Sequence, residues 1–158
     1  MFPLWKKSKK ILRDRKGITG MAKKIVLISC VSKKLSHKAG AEHLYISPLF
    51  RLNLKFAKHL KPDKIFILSA KYGLIRLDEE IEPYDKTLNE MKSLEIKQWA
   101  NNVLKQLRHI TNLEDDEFIF LAGNNYRKYL IPYIKNYKVP MKGLGIGKQL
   151  QYLKNKTK

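Results

Sequence analysis

Two short apolar runs in this chain each release reactive side chains. Ser29, Cys30 and Lys34 follow Ile25-Val26-Leu27-Ile28, and Ser69, Lys71 and Tyr72 follow Ile65-Phe66-Ile67-Leu68. A hydroxyl, a thiol or an amine becomes a nucleophile once a neighbour weakens its hold on a proton. Cys30 would do so if nearby cations stabilised its thiolate, and Lys33, Lys34 and Lys71 are available for that. A lysine crowded by other lysines loses proton affinity, so Lys34 or Lys71 could serve as an amine nucleophile, or could simply bind phosphate. Cys30, Lys34, Lys71 and Ser69 therefore form the candidate catalytic set. Each has a plainer alternative: a lone cysteine is often a small buried residue ending a strand, and lysines in so basic a chain are usually solvated.

Groups that could bind or orient a substrate lie nearby in sequence. They are Ser29, Tyr72 and Gly73, then Glu82, Tyr84 and Asp85 beyond a short acidic linker, and finally Asn124. Glu82 and Asp85 flank Tyr84 and could act as a general base or orient Lys71. Alternatively, Pro83-Tyr84 docks the linker on the core and leaves both carboxylates solvated. The stretch from Gly143 to Lys148 precedes a short apolar pattern, so Gly145, Gly147 and Lys148 are candidates for an anion cradle of backbone N–H groups. It fits neither the Walker nor the dinucleotide spacing. His37, His43, His59 and His109 show no metal-ligand spacing, and we expect no metal and no cofactor.

The elements that must position these groups can be read from periodicity. Lys24 to Ser29 predicts a first, central strand, and Ile65–Leu68 and Phe118–Leu121 predict two more. None of the three alternates polar with apolar residues, as expected for strands covered on both faces. Tyr137 to Met141 predicts a last strand, placed at an edge because of Pro140. Ser47-Pro48 opens a helix, with Ser as N-cap and Pro in the first turn. Leu49, Phe50, Asn53, Phe56, Ala57 and Leu60 form its buried stripe. A second helix begins between Asn89 and Ser93 and buries a stripe from Ile96 through Trp99 to Ile110. A third starts near Tyr126 and is kinked or divided by Pro132, and a short final helix carries Leu150 and Leu153.

Strands alternating with helices define a three-layer α/β fold: a mostly parallel sheet of about four strands flanked by helices, in a single domain over residues 23–158. The ends of parallel strands share one rim, which would bring Ser29-Cys30, Ser69-Lys71-Tyr72 and Gly123-Asn124 together. The stretch between Ser69 and Gly73 is read as a loop. Residues 1–22 read as a basic arm, with Met21 an alternative start of the protein.

Composition narrows the partners. The 158 residues carry 33 Lys and Arg against 14 Asp and Glu, a formal charge of +19. Residues 76–117 hold 11 of the acidic groups and only 6 basic ones, so the rest of the chain is far more basic than the average. Such imbalance favours a polyanionic partner, DNA, RNA or a nucleotide, although a lysine-rich composition alone would produce part of it. A single cysteine excludes an internal disulfide and suits a reducing, cytoplasmic setting. No apolar run approaches the ~20 residues that span a bilayer, so no membrane partner is expected.

Several motifs in one order carry a resemblance. Ile28-Ser29-Cys30-x-x-x-Lys34, Leu44-Tyr45-x-Ser47-Pro48-Leu49-Phe50, Ile67-Leu68-Ser69-Ala70-Lys71-Tyr72-Gly73-Leu74 and Glu82-Pro83-Tyr84-Asp85-x-Thr87-Leu88 resemble a bacterial, archaeal and phage family of unassigned activity. Gly143-Leu144-Gly145-Ile146-Gly147-Lys148-x-Leu150-Gln151 resembles its ending, and the match runs over roughly residues 24–153. That family is similar, more distantly, to the YaaA peroxide-stress proteins, which share an early Ile-Ser strand end, a Leu-Ser-x-x-Tyr-Gly turn and a Pro-Tyr step. The similarity implies DNA binding and protection from oxidative damage, although this chain is much shorter than YaaA. The Cys30/Lys34 spacing also resembles one short motif of archaeosine synthase, which modifies a tRNA base, without its neighbouring Pro-Tyr.

Three functions stay open on these grounds. One is a YaaA-like protein acting on nucleic acid or nucleotides, with lysine or thiolate chemistry at a base or glycosidic centre. Another is a non-catalytic DNA-binding module of the stress response. The third is a binding domain for a nucleotide or metabolite.

Overall fold

Lys24–Ser29 (β1) forms the middle of the sheet, and its four central residues are fully buried. The computed structural model describes residues 22–158; the arm expected over residues 1–22 falls, apart from Ala22, outside the described residues. On one side β1 pairs in parallel with Lys64–Ser69 (β3), and on the other with Glu117–Leu121 (β6). Asn136–Lys138 (β7) extends the sheet beyond β6, again in parallel. It lies at the edge, as expected, but stops two residues short of Pro140, which has no N–H to offer a neighbour.

With Gly73–Arg76 as β4, the sheet has five strands rather than four, in the order β4-β3-β1-β6-β7. The additional strand, Gly73–Arg76 (β4), runs antiparallel to β3 with Gly73 opposite Ser69. The expected loop is therefore a tight reversal. Gly73 has φ +76°, a left-handed conformation that a side chain would strain. A two-stranded ribbon also joins Ala39–Gly40 (β2) to Glu80–Ile81 (β5), inside stretches expected to be irregular. It ties the Lys34 loop to the linker that leads to Tyr84.

The helices cover both faces. A single turn, Ala41–Leu44 (α1), precedes Pro48–His59 (α2), whose Ser47 cap accepts the Phe50 N–H at 3.2 Å. Ser93–Ile110 (α3) starts where Glu95 accepts the Lys92 N–H at 3.0 Å and buries Ile96, Trp99, Val103 and Leu107. Its expected last stripe residue, Ile110, is 42% exposed because the helix ends there. The helix expected from Tyr126 is only a turn, Asn124–Arg127 (α4), followed by a separate 3-10 turn at Ile131–Tyr133 that contains Pro132. Ile146–Lys156 (α5) packs on α2, with the Phe56 and Tyr152 rings edge-to-face at 5.9 Å.

The connection from β1 to β3 crosses the sheet one way, and that from β3 to β6 crosses it the other way. Right-handed crossovers then put α2 and α3 on opposite faces, giving three layers. The reversal also opens a crevice between the carboxyl ends of β1 and β6, where ligands collect in open α/β sheets. No described helix is long and apolar enough to cross a membrane.

Candidate functional site

The register puts Ser29 beside Leu68 and Ile28 beside Leu121, so the groups that follow the three strands do emerge on one rim. The Cys30 N–H bonds to the Leu68 carbonyl at 3.0 Å and ties the departing loop to β3. Backbone bonds from Leu35 to Leu44 and from Ile46 to Lys33 then fold the loop back, bringing Lys34 beside Tyr45.

Lys34 Nζ lies 4.4 Å from the centroid of the Tyr84 ring and 5.7 Å from that of Tyr45, and donates to the Ser32 carbonyl at 3.2 Å. Below it runs a chain of hydroxyls. Ser69 Oγ donates to Tyr84 Oη at 2.8 Å, and the Tyr84 and Tyr45 hydroxyls are 2.6 Å apart. Ser69 Oγ in turn accepts the N–H groups of Tyr72, at 3.0 Å, and Lys71, at 3.3 Å, which fixes its orientation. The indole N–H of Trp99 holds the Ser69 carbonyl at 2.8 Å. Ser69 is fully buried.

Burial lowers the proton affinity of the Lys34 amine, outweighing the opposing pull of Cys30 and the Asp85 carboxylate. The same cause raises Tyr45, Tyr84 and Tyr126 well above the usual phenol range, with Cys30 as the second contributor in each. At neutral pH the cluster therefore offers protonated phenols beside an amine that releases its proton more readily than a solvated lysine. An amine that becomes neutral can attack an electrophilic carbon, and a phenol hydroxyl can donate to the oxygen that gains charge.

Cys30 connects this cluster to a second compartment. Its Sγ is 3.5 Å from Tyr126 Oη, which also accepts the Leu88 N–H at 3.2 Å and lies 3.4 Å from Thr87 Oγ1. Beyond it a cleft of about 810 Å³ occupies the crevice between β1 and β6. Ser29, Cys30, Thr87, Asn124, Tyr126 and Arg127 are part of its wall.

The structure thus brings Lys34, Ser69, Tyr72 and Tyr84 together, and sets Ser29, Cys30 and Asn124 along the adjoining cleft. Asp85, exposed, lies near enough to Lys34 to influence its amine. Other expectations need correction. Lys71 is exposed, with Nζ 5.2 Å from the centroid of its neighbour Tyr72, and so stands outside the hydroxyl chain. Glu82 does not orient Lys71: its carboxylate lies 4.0 Å from Lys38, and its carbonyl accepts the Tyr72 hydroxyl. Gly73 is buried under Gln106 and serves the chain reversal. Gly145 caps α5, Gly147 and Lys148 are exposed on its first turn, and their neighbours Leu144 and Ile146 line the cleft.

Tyr45, Thr87, Tyr126, Asn53 and Arg127 were not among the expected site residues. Tyr126 reads as one of several tyrosines at helical spacing, and Tyr45 as a neighbour of the helix cap. Asn53 carries the clearest signal, an amide in an otherwise apolar stripe. Among the described residues no group of three His, Cys, Asp and Glu side chains is placed to hold a metal ion.

Fold and rim together define an α/β protein with a polar site at the carboxyl end of a mostly parallel sheet. The profile of one family, described as a family of unknown function (DUF6884), matches residues 25–155, and the chain belongs to that family. No curated protein and no solved structure matches the chain significantly.

Proposed function

We propose that this chain is a nucleic-acid- or nucleotide-directed protein, of the YaaA-like superfamily that its motifs resemble, acting on a base or glycosidic centre. Lys34 supplies the amine, while Tyr84, held by Ser69, donates to developing charge and Cys30 borders the substrate. The observation that carries this reading is the Lys34 amine, half-buried 4.4 Å from the centroid of the ring of a phenol hydrogen-bonded to a buried serine. A polyanionic partner is supported by charge: residues 22–158 alone hold 26 basic and 13 acidic side chains. The burial of Cys30, 7% exposed, favours a second reading in which the rim binds without covalent chemistry.

An oligonucleotide carrying an abasic site distinguishes them. The aldehyde carbon of the opened sugar accepts an amine, loses its oxygen as water and leaves an imine that borohydride reduces to a stable C–N bond. We expect trapping of the oligonucleotide on Lys34, located by peptide mass spectrometry, and at least a hundredfold less adduct in Lys34→Arg. Affinity for the intact oligonucleotide should survive that substitution and fall linearly in log–log terms with salt, by about 0.9 per phosphate neutralised on duplex DNA. Binding without an adduct favours the second reading, and no binding at low salt sinks both.

A further inference from the structure

The cleft between β1 and β6 contains a buried acceptor that the protein leaves unsatisfied. Asn53 projects from α2 into the cleft wall, is 5% exposed, and its Oδ1 has no hydrogen-bond partner. Leaving a buried acceptor unpaired is costly. Its helix neighbours on the buried face, Phe50, Leu54, Phe56 and Ala57, are all apolar. An amide among them points to a donor that arrives from outside the chain.

Two further features of the same cleft fit an anion. Arg127 lines it, donates through Nη1 to the Ala122 carbonyl at 2.7 Å, and forms no ion pair among the described residues. The first turn of α5 opens at the rim, where the Gly145 cap supplies no side-chain acceptor for its N–H groups. Such N–H groups, together with the helix dipole, favour a phosphate or carboxylate. Ile146, 66% exposed beside them, offers an apolar lip. Glu90 also lines the cleft, with Lys86 to offset it.

We propose that this cleft binds a nucleoside monophosphate, with the base edge on Asn53 and the phosphate between Arg127 and the first turn of α5. A carboxamide presents a donor and an acceptor side by side, the complement of the paired groups on a nucleobase edge. The cleft, about 810 Å³, falls within the range of small-molecule sites and lies at the topological switch point of the sheet. The proposal rests on the nucleotide-directed reading above and narrows it to one mononucleotide unit.

Calorimetric titration of the full chain with the four common 5′-monophosphates and their nucleosides provides the test. At least one monophosphate should bind about tenfold or more tighter than its nucleoside, the equivalent of one charge-assisted hydrogen bond. Arg127→Gln should erase that preference while leaving nucleoside affinity in place. Asn53→Leu, which removes the orphan acceptor and keeps the branched shape, should weaken both ligands about tenfold or more and leave the thermal midpoint equal or higher. If Asn53→Leu fails to fold, Asn53→Ala is titrated instead. No measurable binding of any monophosphate would overturn the proposal, as would unchanged affinity in the Asn53 variant, which would make the amide a holder of ordered water. Failure here with oligonucleotide trapping on Lys34 intact would remove the mononucleotide site alone. Mononucleotide binding without oligonucleotide affinity would support this site and remove the nucleic-acid reading.

Discussion

Above pH 10 the fold should lose stability steeply. Tyr45, Tyr84 and Tyr126 have proton affinities raised chiefly by burial, so the folded state keeps protons that the unfolded chain releases near pH 10. Their contribution is fully present below pH 10 and is lost as pH rises above it. Each phenol held protonated removes about 1.4 kcal/mol per pH unit. Tyr45 and Tyr126, 0% and 5% exposed, should approach that slope, and the more accessible Tyr84 should fall short of it because solvent screens its charge. Lys34 acts in the opposite sense: its folded value lies below 10.5, so its contribution rises with pH and is complete near that value. The net slope should therefore steepen between pH 10 and 11. Urea denaturation at half-unit steps measures it, and phenolate absorbance should show Tyr45 and Tyr126 titrating only as the protein unfolds. A flat stability profile to pH 11 would contradict the buried hydroxyl cluster.

Gly73→Ala should cost roughly 3 kcal/mol, a large share of the stability of a domain this size. Left-handed backbone accounts for about 1–2 kcal/mol of that. The remainder comes from Gln106, whose Oε1 lies 2.5 Å from where the new Cβ would stand. Gln106 clamps β4 by accepting the Leu74 N–H at 2.9 Å and donating to the Leu74 carbonyl at 3.2 Å. Displacing it loses both bonds, each worth about 1 kcal/mol. In a Gln106→Ala background the same substitution should cost only the backbone share. Equal costs in the two backgrounds would remove Gln106 from the explanation.

What the sequence revealed and what it hid follow from physics that is local in one case and not in the other. β1, β3 and β6 were legible because a strand covered on both faces must be apolar without interruption. The α2 start was legible because Ser47 and Pro48 act on the next turn of chain alone. β4 was hidden: Gly73–Arg76 is short, and the backbone of its Leu74 is held by Gln106 reaching across from α3. The helix expected from Tyr126 failed because its tyrosines stand at helical spacing for a different reason, Tyr126 being turned toward Cys30 and Leu88.

The same distinction runs through the site. That Ser29, Cys30, Ser69 and Asn124 share a rim follows from parallel strands and right-handed crossovers, and so could be read in advance. Which lysine joins it could not. Lys34 and Lys71 both follow strand ends, but the loop after β1 returns to pair with Tyr45, while the turn after β3 is too tight to bring Lys71 inward. The hydroxyl chain through Tyr45 and Tyr84 links residues 39 positions apart, beyond the reach of any local pattern.

The proposed function places a reactive amine, Lys34, at a nucleic-acid-binding rim. Limited lysine acylation across pH 6 to about 11, quantified peptide by peptide with and without an oligonucleotide, tests it most directly. Lys34 should reach half its maximal reactivity below the ordinary lysine value of 10.5, because burial lowers its proton affinity, and the oligonucleotide should protect it. A Lys34 that titrates at the ordinary lysine value of 10.5, or reacts equally fast with the oligonucleotide present, would contradict a reactive amine at that rim.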